Sequence, residues 1–148
     1  MNIRNFGLND KQDFLSMCNE FYNSGASLYP IPTKQMEDTF TQIINNNPYV
    51  KGFIFEEKDG LAGYALVWIY WSNEAGGYVA FLDEIFVKSE YRGHSIGSQY
   101  LNEVANILPQ DIALLRLEVC LSNEGAVRLY KKHGFEFLDY KQMTKKLR

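Results

Sequence analysis

The sequence predicts an α/β domain with elements in the order β-α-α-β-β-β-α-β-α-β, and three observations carry that reading. The run Tyr78–Val87 reads as a strand and leads straight into a small-residue stretch, Tyr91-Arg-Gly-His-Ser-Ile-Gly-Ser98. Behind that stretch Ile96, Leu101, Val104, Ala105 and Leu108 recur at helical spacing. A hairpin signal, Lys58-Asp59-Gly60, joins two apolar runs upstream, and a second strand-then-helix unit lies downstream at 114–134.

Each element has a local justification. Ile3–Phe6 is a short first strand. Asn9 is expected to cap a helix reaching about Tyr22, with Gln12 completing a capping-box-like pair and Phe14, Leu15, Cys18, Phe21 and Tyr22 on one face. Ser24–Pro32 is a loop. Thr33 is expected to cap a second helix that turns Met36, Phe40, Ile43 and Ile44 inward and stops at Asn45-Asn-Asn-Pro48. Tyr49–Glu57 and Leu61–Trp71 are the hairpin strands, and Ser72–Gly77 turns into the Tyr78–Val87 strand. Leu114–Cys120 reads as a buried strand. The helix after it is complete in itself: Asn123 at the N-cap, an apolar face of Ala126, Val127 and Tyr130, basic Lys131, Lys132 and His133 at the negative end, and Gly134 for a left-handed cap. A strand beyond it closes the order.

The junction at 87–98 carries the chemistry. A strand, a small-residue loop and a helix start gather unpaired backbone N–H groups and the positive end of a helix dipole, an arrangement that binds phosphate. Arg92 at its mouth adds a charge-assisted contact. A mononucleotide P-loop is excluded because the loop has no lysine. A dinucleotide fold is excluded because the loop lies mid-chain and has only Gly93 and Gly97.

The run Leu82-Asp-Glu-Ile-Phe-Val-Lys-Ser-Glu-Tyr-Arg-Gly-His-Ser-Ile-Gly97 resembles the acetyl-CoA loop of the Gcn5-related N-acetyltransferase (GNAT) family, Arg/Gln-x-x-Gly-x-Gly/Ala after a strand ending in Val. Downstream, Leu121-Ser-Asn-Glu-Gly-Ala-Val-Arg-Leu-Tyr-Lys-Lys-His-Gly-Phe135 is similar to the family's Asn-x-x-Ala-x-x-Leu-Tyr-x-x-x-Gly-Phe segment. Both motifs keep the family's order and spacing over about the C-terminal half of the chain. The resemblance implies one mixed, mostly antiparallel twisted sheet with helices on both faces. It also implies acetyl transfer from acetyl-CoA to a primary amine by direct attack in a ternary complex.

The same resemblance assigns roles residue by residue. Backbone groups of Ile85, Phe86 and Val87 hold the pantetheine arm and thioester; Arg92, Gly93, His94, Ser95, Ile96, Gly97 and Ser98 form the pyrophosphate loop; Asn123 contacts the cofactor arm, beside its plain reading as an N-cap. Tyr130 maps onto the acid that protonates the leaving thiolate, against a bare reading as a half-buried core tyrosine. Asp83 and Glu84 match the acidic pair of the family's diamine and polyamine acetyltransferases. Asp83 is the better-placed base and Glu84 the alternate, with a solvated strand-edge pair as the plain reading. Strand alternation sends the two to opposite faces unless a bulge intervenes. Ser95 departs from the family, which has glycine there; its hydroxyl suits a helix N-cap or a phosphate contact. His94 reads as a solvated loop histidine and His133 as a helix-end charge. Trp68, Tyr70, Trp71 and Tyr29 are candidates for the acceptor cleft.

Composition is consistent with this reading. The 148 residues make one domain, 1–148, with 46% hydrophobic and 22% charged residues. A net charge of −3 offers no basic stripe for nucleic acid and mildly favours a cationic substrate; that this is a small-molecule amine is what the resemblance implies. Cys18 and Cys120 both sit in apolar runs and read as reduced core thiols, with no disulfide framework or metal spacing. No secretory leader or membrane-length apolar run is present, so the expected location is the cytoplasm. A homodimer is left open. So are two other functions: a protein or peptide N-acetyltransferase, and a CoA-binding module without turnover.

Overall fold

A computed structural model describes residues 1–147 and orders them as β1 (Asn2–Asn5), α1 (Lys11–Asn23), α2 (Thr33–Ile44), β2 (Val50–Glu57), β3 (Gly60–Ser72), β4 (Gly77–Val87), α3 (Ile96–Ile107), β5 (Ile112–Leu117) and α4 (Glu124–Lys132). The five strands form one sheet in the order β1-β2-β3-β4-β5. Every pairing is antiparallel except β4 with β5, which is parallel and spans α3 as its crossover.

Two cores flank the sheet. One face packs Phe14, Met17, Cys18, Met36 and Phe40 from α1 and α2 against Ile54, Tyr64, Leu66 and Phe86. The other packs Ile96, Tyr100, Leu101 and Val104 of α3, with Leu129 and Tyr130 of α4, against Phe53, Phe55, Ala65, Val67, Ala80 and Leu82. Alternation along the middle of β2 and β3 feeds both faces, so Ile54 and Tyr64 go one way and Phe53, Phe55 and Ala65 the other. At Gly63 the chain has no room for a side chain: a Cβ there would meet the Phe86 carbonyl oxygen at 2.1 Å.

Several local expectations are corrected. Asn9 and Gln12 do not cap α1. A short 3-10 turn, Leu8–Asp10, precedes the helix, and Asp10 accepts from the Gly7 N–H at 2.6 Å. Asp10 also takes both terminal nitrogens of Arg4, at 2.6 and 2.8 Å, which locks β1 to the start of α1. The cap of α2 is Pro32, with Thr33 its first helical residue. On α3, Ala105 is exposed and the inward position belongs to Tyr100. The closing strand is not formed among the described residues: 135–147 joins no ladder, and Phe137, Leu138, Tyr140 and Met143 are exposed. Lys131 lies over the Phe137 ring, and Tyr140 donates to Glu74. All hydrogen bonds of a strand go to another strand, so apolar residues alone do not secure one.

Candidate active site

Pairing between β4 and β5 ends at Leu82 opposite Leu117, whereas β4 continues to Val87 paired only with β3. The edge of β4 from Asp83 to Val87 that faces β5 is therefore open, leaving backbone groups that need a partner. Ile85 and Val87 pack toward α3 and α4, and Phe86 is buried on the α1–α2 face.

The loop follows directly. Ser89–Tyr91 is a 3-10 turn, Gly93 lies at φ 81°, and Ser95 lies at φ 62° immediately before α3. That left-handed conformation explains physically why the family has glycine at this position. The Ser95 side chain makes no capping bond, contrary to its expected N-cap role; its carbonyl accepts from the Gln99 N–H at 2.8 Å. Among the described residues, the N–H groups of Gly93 through Ser98 have no protein acceptor. Six orphan donors at a helix start form an anion cradle. Arg92 bonds the Val87 carbonyl through Nε at 3.0 Å, leaving both terminal nitrogens free of protein partners among the described residues. His94 is exposed and within 3.2 Å of the Tyr91 carbonyl. Ser98 does not face the cradle alone, since its hydroxyl meets His133 Nε2 at 2.6 Å and ties α3 to the end of α4.

The two carboxylates share a face. The register of β4 on β3 slips between Leu66 and Val67, with Leu66 opposite Glu84 and Val67 opposite Leu82, so Asp83 is the extra residue of a bulge. The bulge overrides the alternation that would have separated Asp83 from Glu84. Both line a cavity of about 170 Å³ with Phe14, Cys18, Tyr22, Leu66 and Trp68. Glu84, the alternate of the pair in the sequence, is the deep one at 5% exposure. Tyr22 donates to it at 2.6 Å and Tyr64 at 2.5 Å, and the Cys18 sulfur lies at 3.9 Å. Burial pushes the Glu84 carboxyl above its ordinary range, and the nearby Asp83 charge adds to the rise; the tyrosine bonds offset only part of it. Asp83 stands at the mouth, its carboxyl also raised by desolvation, with the neighbouring Trp68 of the cavity wall holding back part of the rise. Burial pushes the Cys18 thiol up to about 12, so it stays protonated and unreactive.

On the other side of the open edge, Tyr130 packs into the same cluster as Ile85, Val87, Ile96 and Tyr100. Its hydroxyl has no protein partner among the described residues, and burial raises its phenol, which keeps it protonated at neutral pH. Asn123 caps α4, accepting from the Ala126 N–H at 3.2 Å. Of the aromatic cleft candidates, only Trp68 lines the cavity. Tyr70 lies two residues further along the same face, Trp71 packs edge-on to Tyr78, and Tyr29 is exposed in the α1–α2 loop. Of the two tyrosines that hold Glu84, sequence placed Tyr22 on the apolar face of its helix and Tyr64 only within the Leu61–Trp71 strand. Their hydroxyls reach Glu84 across 62 and 20 residues of sequence.

The geometry fits a long phosphorylated acyl carrier: an anion cradle, an open strand edge for an amide-bearing arm, and carboxylate and phenol groups flanking that edge. Residues 14–135 match the acetyltransferase (GNAT) family model. The chain is 31% identical over 135 residues to a putative [ribosomal protein bS18]-alanine N-acetyltransferase of Bacillus subtilis, covering 90% of this chain and 80% of that one. It is 39% identical over 75 residues to the thialysine N-epsilon-acetyltransferase of Sus scrofa, covering 50% of this chain and 44% of the relative. The fold superposes on a possible acetyltransferase from Clostridium difficile 630 with TM-score 0.85 at 17% identity, over 99% of this chain and 97% of the other. No described helix is long and apolar enough to cross a membrane. The chain belongs to the GNAT family and is an acetyl-CoA-dependent N-acetyltransferase.

Proposed function

We propose that the acceptor is the primary amine of a small molecule that arrives as an ammonium ion, and that Glu84 is the base that deprotonates it. The observation behind this reading is the bulge at Asp83, which turns two carboxylates into one cavity beside the open edge of β4. Asp83 at the mouth attracts the cation. Glu84, its carboxyl raised toward neutrality by burial, takes the proton at the reacting nitrogen.

Acetyl-CoA supplies the acyl group as a thioester. The amides of Gly93–Ser98 and the free end of Arg92 hold its phosphates, the edge Ile85–Val87 orients its arm, and Asn123 contacts that arm. Tyr130 donates its phenolic proton to the departing sulfur. The protonated Cys18 thiol offers no acyl-enzyme route at this cavity, which favours direct attack by the amine.

A second reading, acetylation of a protein N-terminus, draws support from the bacterial relative named for a ribosomal-protein alanine and from exposed Leu28 and Tyr29 in the α1–α2 loop, whose Ile31 lines the cavity. The test is thiol release with a panel of diamines, polyamines, amino acids with side-chain amines, and an alanine-initiated peptide. Turnover of small amines that falls with rising salt is expected, because screening weakens the Asp83 attraction. Acetylation of the peptide with no small amine accepted overturns the reading in favour of the protein acceptor.

A further inference from the structure

Tyr130 has a proton to deliver and no hydrogen bond of its own to aim it. Its hydroxyl lacks a protein partner among the described residues, and its ring rests edge-on against Phe135 with centroids 5.9 Å apart. Where the phenol points is therefore set by how α4 is seated. That helix is lightly held. None of its residues is fully buried, and the side-chain bonds of Asn123 to Ala126 and of Arg128 to Glu124 are internal to it and its cap. Among the described residues, one side-chain hydrogen bond ties this helix end to another element: the 2.6 Å bond between His133 Nε2 and the Ser98 hydroxyl.

Both ends of that bond are fixed to working groups. Ser98 lies in the first turn of α3, and its N–H is one of the orphan donors of the anion cradle. One residue earlier, Gly97 sits so close to α4 that a Cβ there would stand 3.1 Å from Leu129 Cδ2. His133 closes α4: its N–H reaches the carbonyls of Leu129 and Tyr130 at 3.2 and 3.0 Å, and the Phe135 N–H returns to the Tyr130 carbonyl at 3.1 Å. A phosphate held by the Ser98 N–H orders the backbone that carries the Ser98 hydroxyl. That hydroxyl holds His133, and His133 holds the turn that carries Tyr130.

We infer that His133 is a positioning residue, which through Ser98 couples occupation of the cradle to the placement of the Tyr130 phenol. The phosphates of acetyl-CoA thereby help to seat the acid that serves their own thioester, and a thioester without phosphates forfeits that help. This rests on the cradle and Tyr130 roles proposed above.

Two readouts test it. Hydrogen exchange needs no acceptor, and ADP supplies a diphosphate with no arm to touch α4. In the wild-type chain, saturating ADP should slow exchange by about threefold or more at 93–98 and also at 130–134. In Ser98→Ala, which keeps the cradle N–H, the slowing should persist at 93–98 and vanish at 130–134. The second readout is thiol release with an amine that the panel accepts, comparing acetyl-CoA with S-acetylpantetheine, which lacks the phosphates. His133→Ala should lower kcat by about tenfold with acetyl-CoA, leaving its KM within about twofold, and should change kcat with S-acetylpantetheine by less than about twofold. His133→Gln, which can still reach Ser98, should restore most of the loss, and Ser98→Ala/His133→Ala should lose no more than either single variant. Should His133→Ala fold poorly, Ser98→Ala removes the same bond with a smaller change. Equal losses on both thioesters, or slowing at 93–98 without slowing at 130–134 in the wild-type chain, overturns the coupling and leaves the cradle intact. If neither ADP nor CoA slows exchange at 93–98, the cradle reading fails and the coupling with it. Near-normal turnover in Tyr130→Phe removes the acid role alone, because the exchange result does not depend on it.

Discussion

The two faces of the sheet handle buried tyrosines in opposite ways. On the α1–α2 face, Tyr64 is fully buried and its hydroxyl bonds Glu84 at 2.5 Å. On the α3–α4 face, Tyr100 is equally buried, and its hydroxyl is enclosed with no partner among the described residues. Around Glu84 the donors Tyr22 and Tyr64 converge on one carboxyl, so the polar cluster offsets part of the desolvation and holds the group still. Tyr100 offers only its ring, which lies 5.0 Å from Phe55 and 6.4 Å from Phe53. The same residue type thus holds a buried carboxylate on one face and serves as aromatic filler on the other. The difference lies in what the opposing strand presents.

Glu84→Gln tests the first face most severely. Removing the base should lower kcat by about 10²–10⁴-fold, with the acetyl-CoA KM nearly unchanged. In the parent enzyme the acid limb of the rate profile should lie above the ordinary carboxylate range, because the raised Glu84 must be ionised to act. A limb at the usual glutamate value refutes that role. The stability effect has the opposite sign to activity. A carboxyl with a raised folded pKa stabilises the fold below its unfolded pKa, and that contribution is lost as pH rises through the folded value.

Tyr130→Phe should lower kcat by about 10²-fold with little loss of stability, since the phenol makes no protein hydrogen bond among the described residues. Near-normal turnover would return Tyr130 to a packing role.

The comparison between faces sharpens with one substitution made twice. Tyr64→Phe should cost roughly 1–3 kcal/mol, because it leaves the buried Glu84 short of a donor. It should also move the acid limb to higher pH, as the ionised form loses a bond. Tyr100→Phe removes a hydroxyl that has no partner, and should be neutral or stabilise by about 1 kcal/mol. Chemical denaturation of the two variants decides it, and a Tyr100→Phe loss as large as that of Tyr64→Phe means the hydroxyl is used.

Ser95→Gly carries the smallest effect. Relief of the left-handed backbone should stabilise by about 0.5–1 kcal/mol and tighten CoA binding by a comparable increment. Weaker CoA binding in that variant would show the serine hydroxyl to be a working part of the cradle.

Much of this molecule was decided locally. The strand–loop–helix unit at 78–108 appears where its residues require it, since a small-residue loop between a strand and an amphipathic helix has few other conformations. Asn123 and the basic end of α4 likewise obey rules of the first and last helical turns. The extent of the sheet edges and the carboxylate geometry were decided only in three dimensions. A single residue of register slip between β3 and β4 puts Asp83 and Glu84 on one face, and nothing in the string Leu82-Asp-Glu-Ile85 distinguishes a bulged pair from an alternating one. The partners of Glu84 come from α1 and β3, both set by packing between elements far apart in sequence. Helix caps and turns depend on neighbours within a few residues, so sequence carries them. A hydrogen bond between distant strands depends on the whole sheet's register, which only the assembled fold supplies.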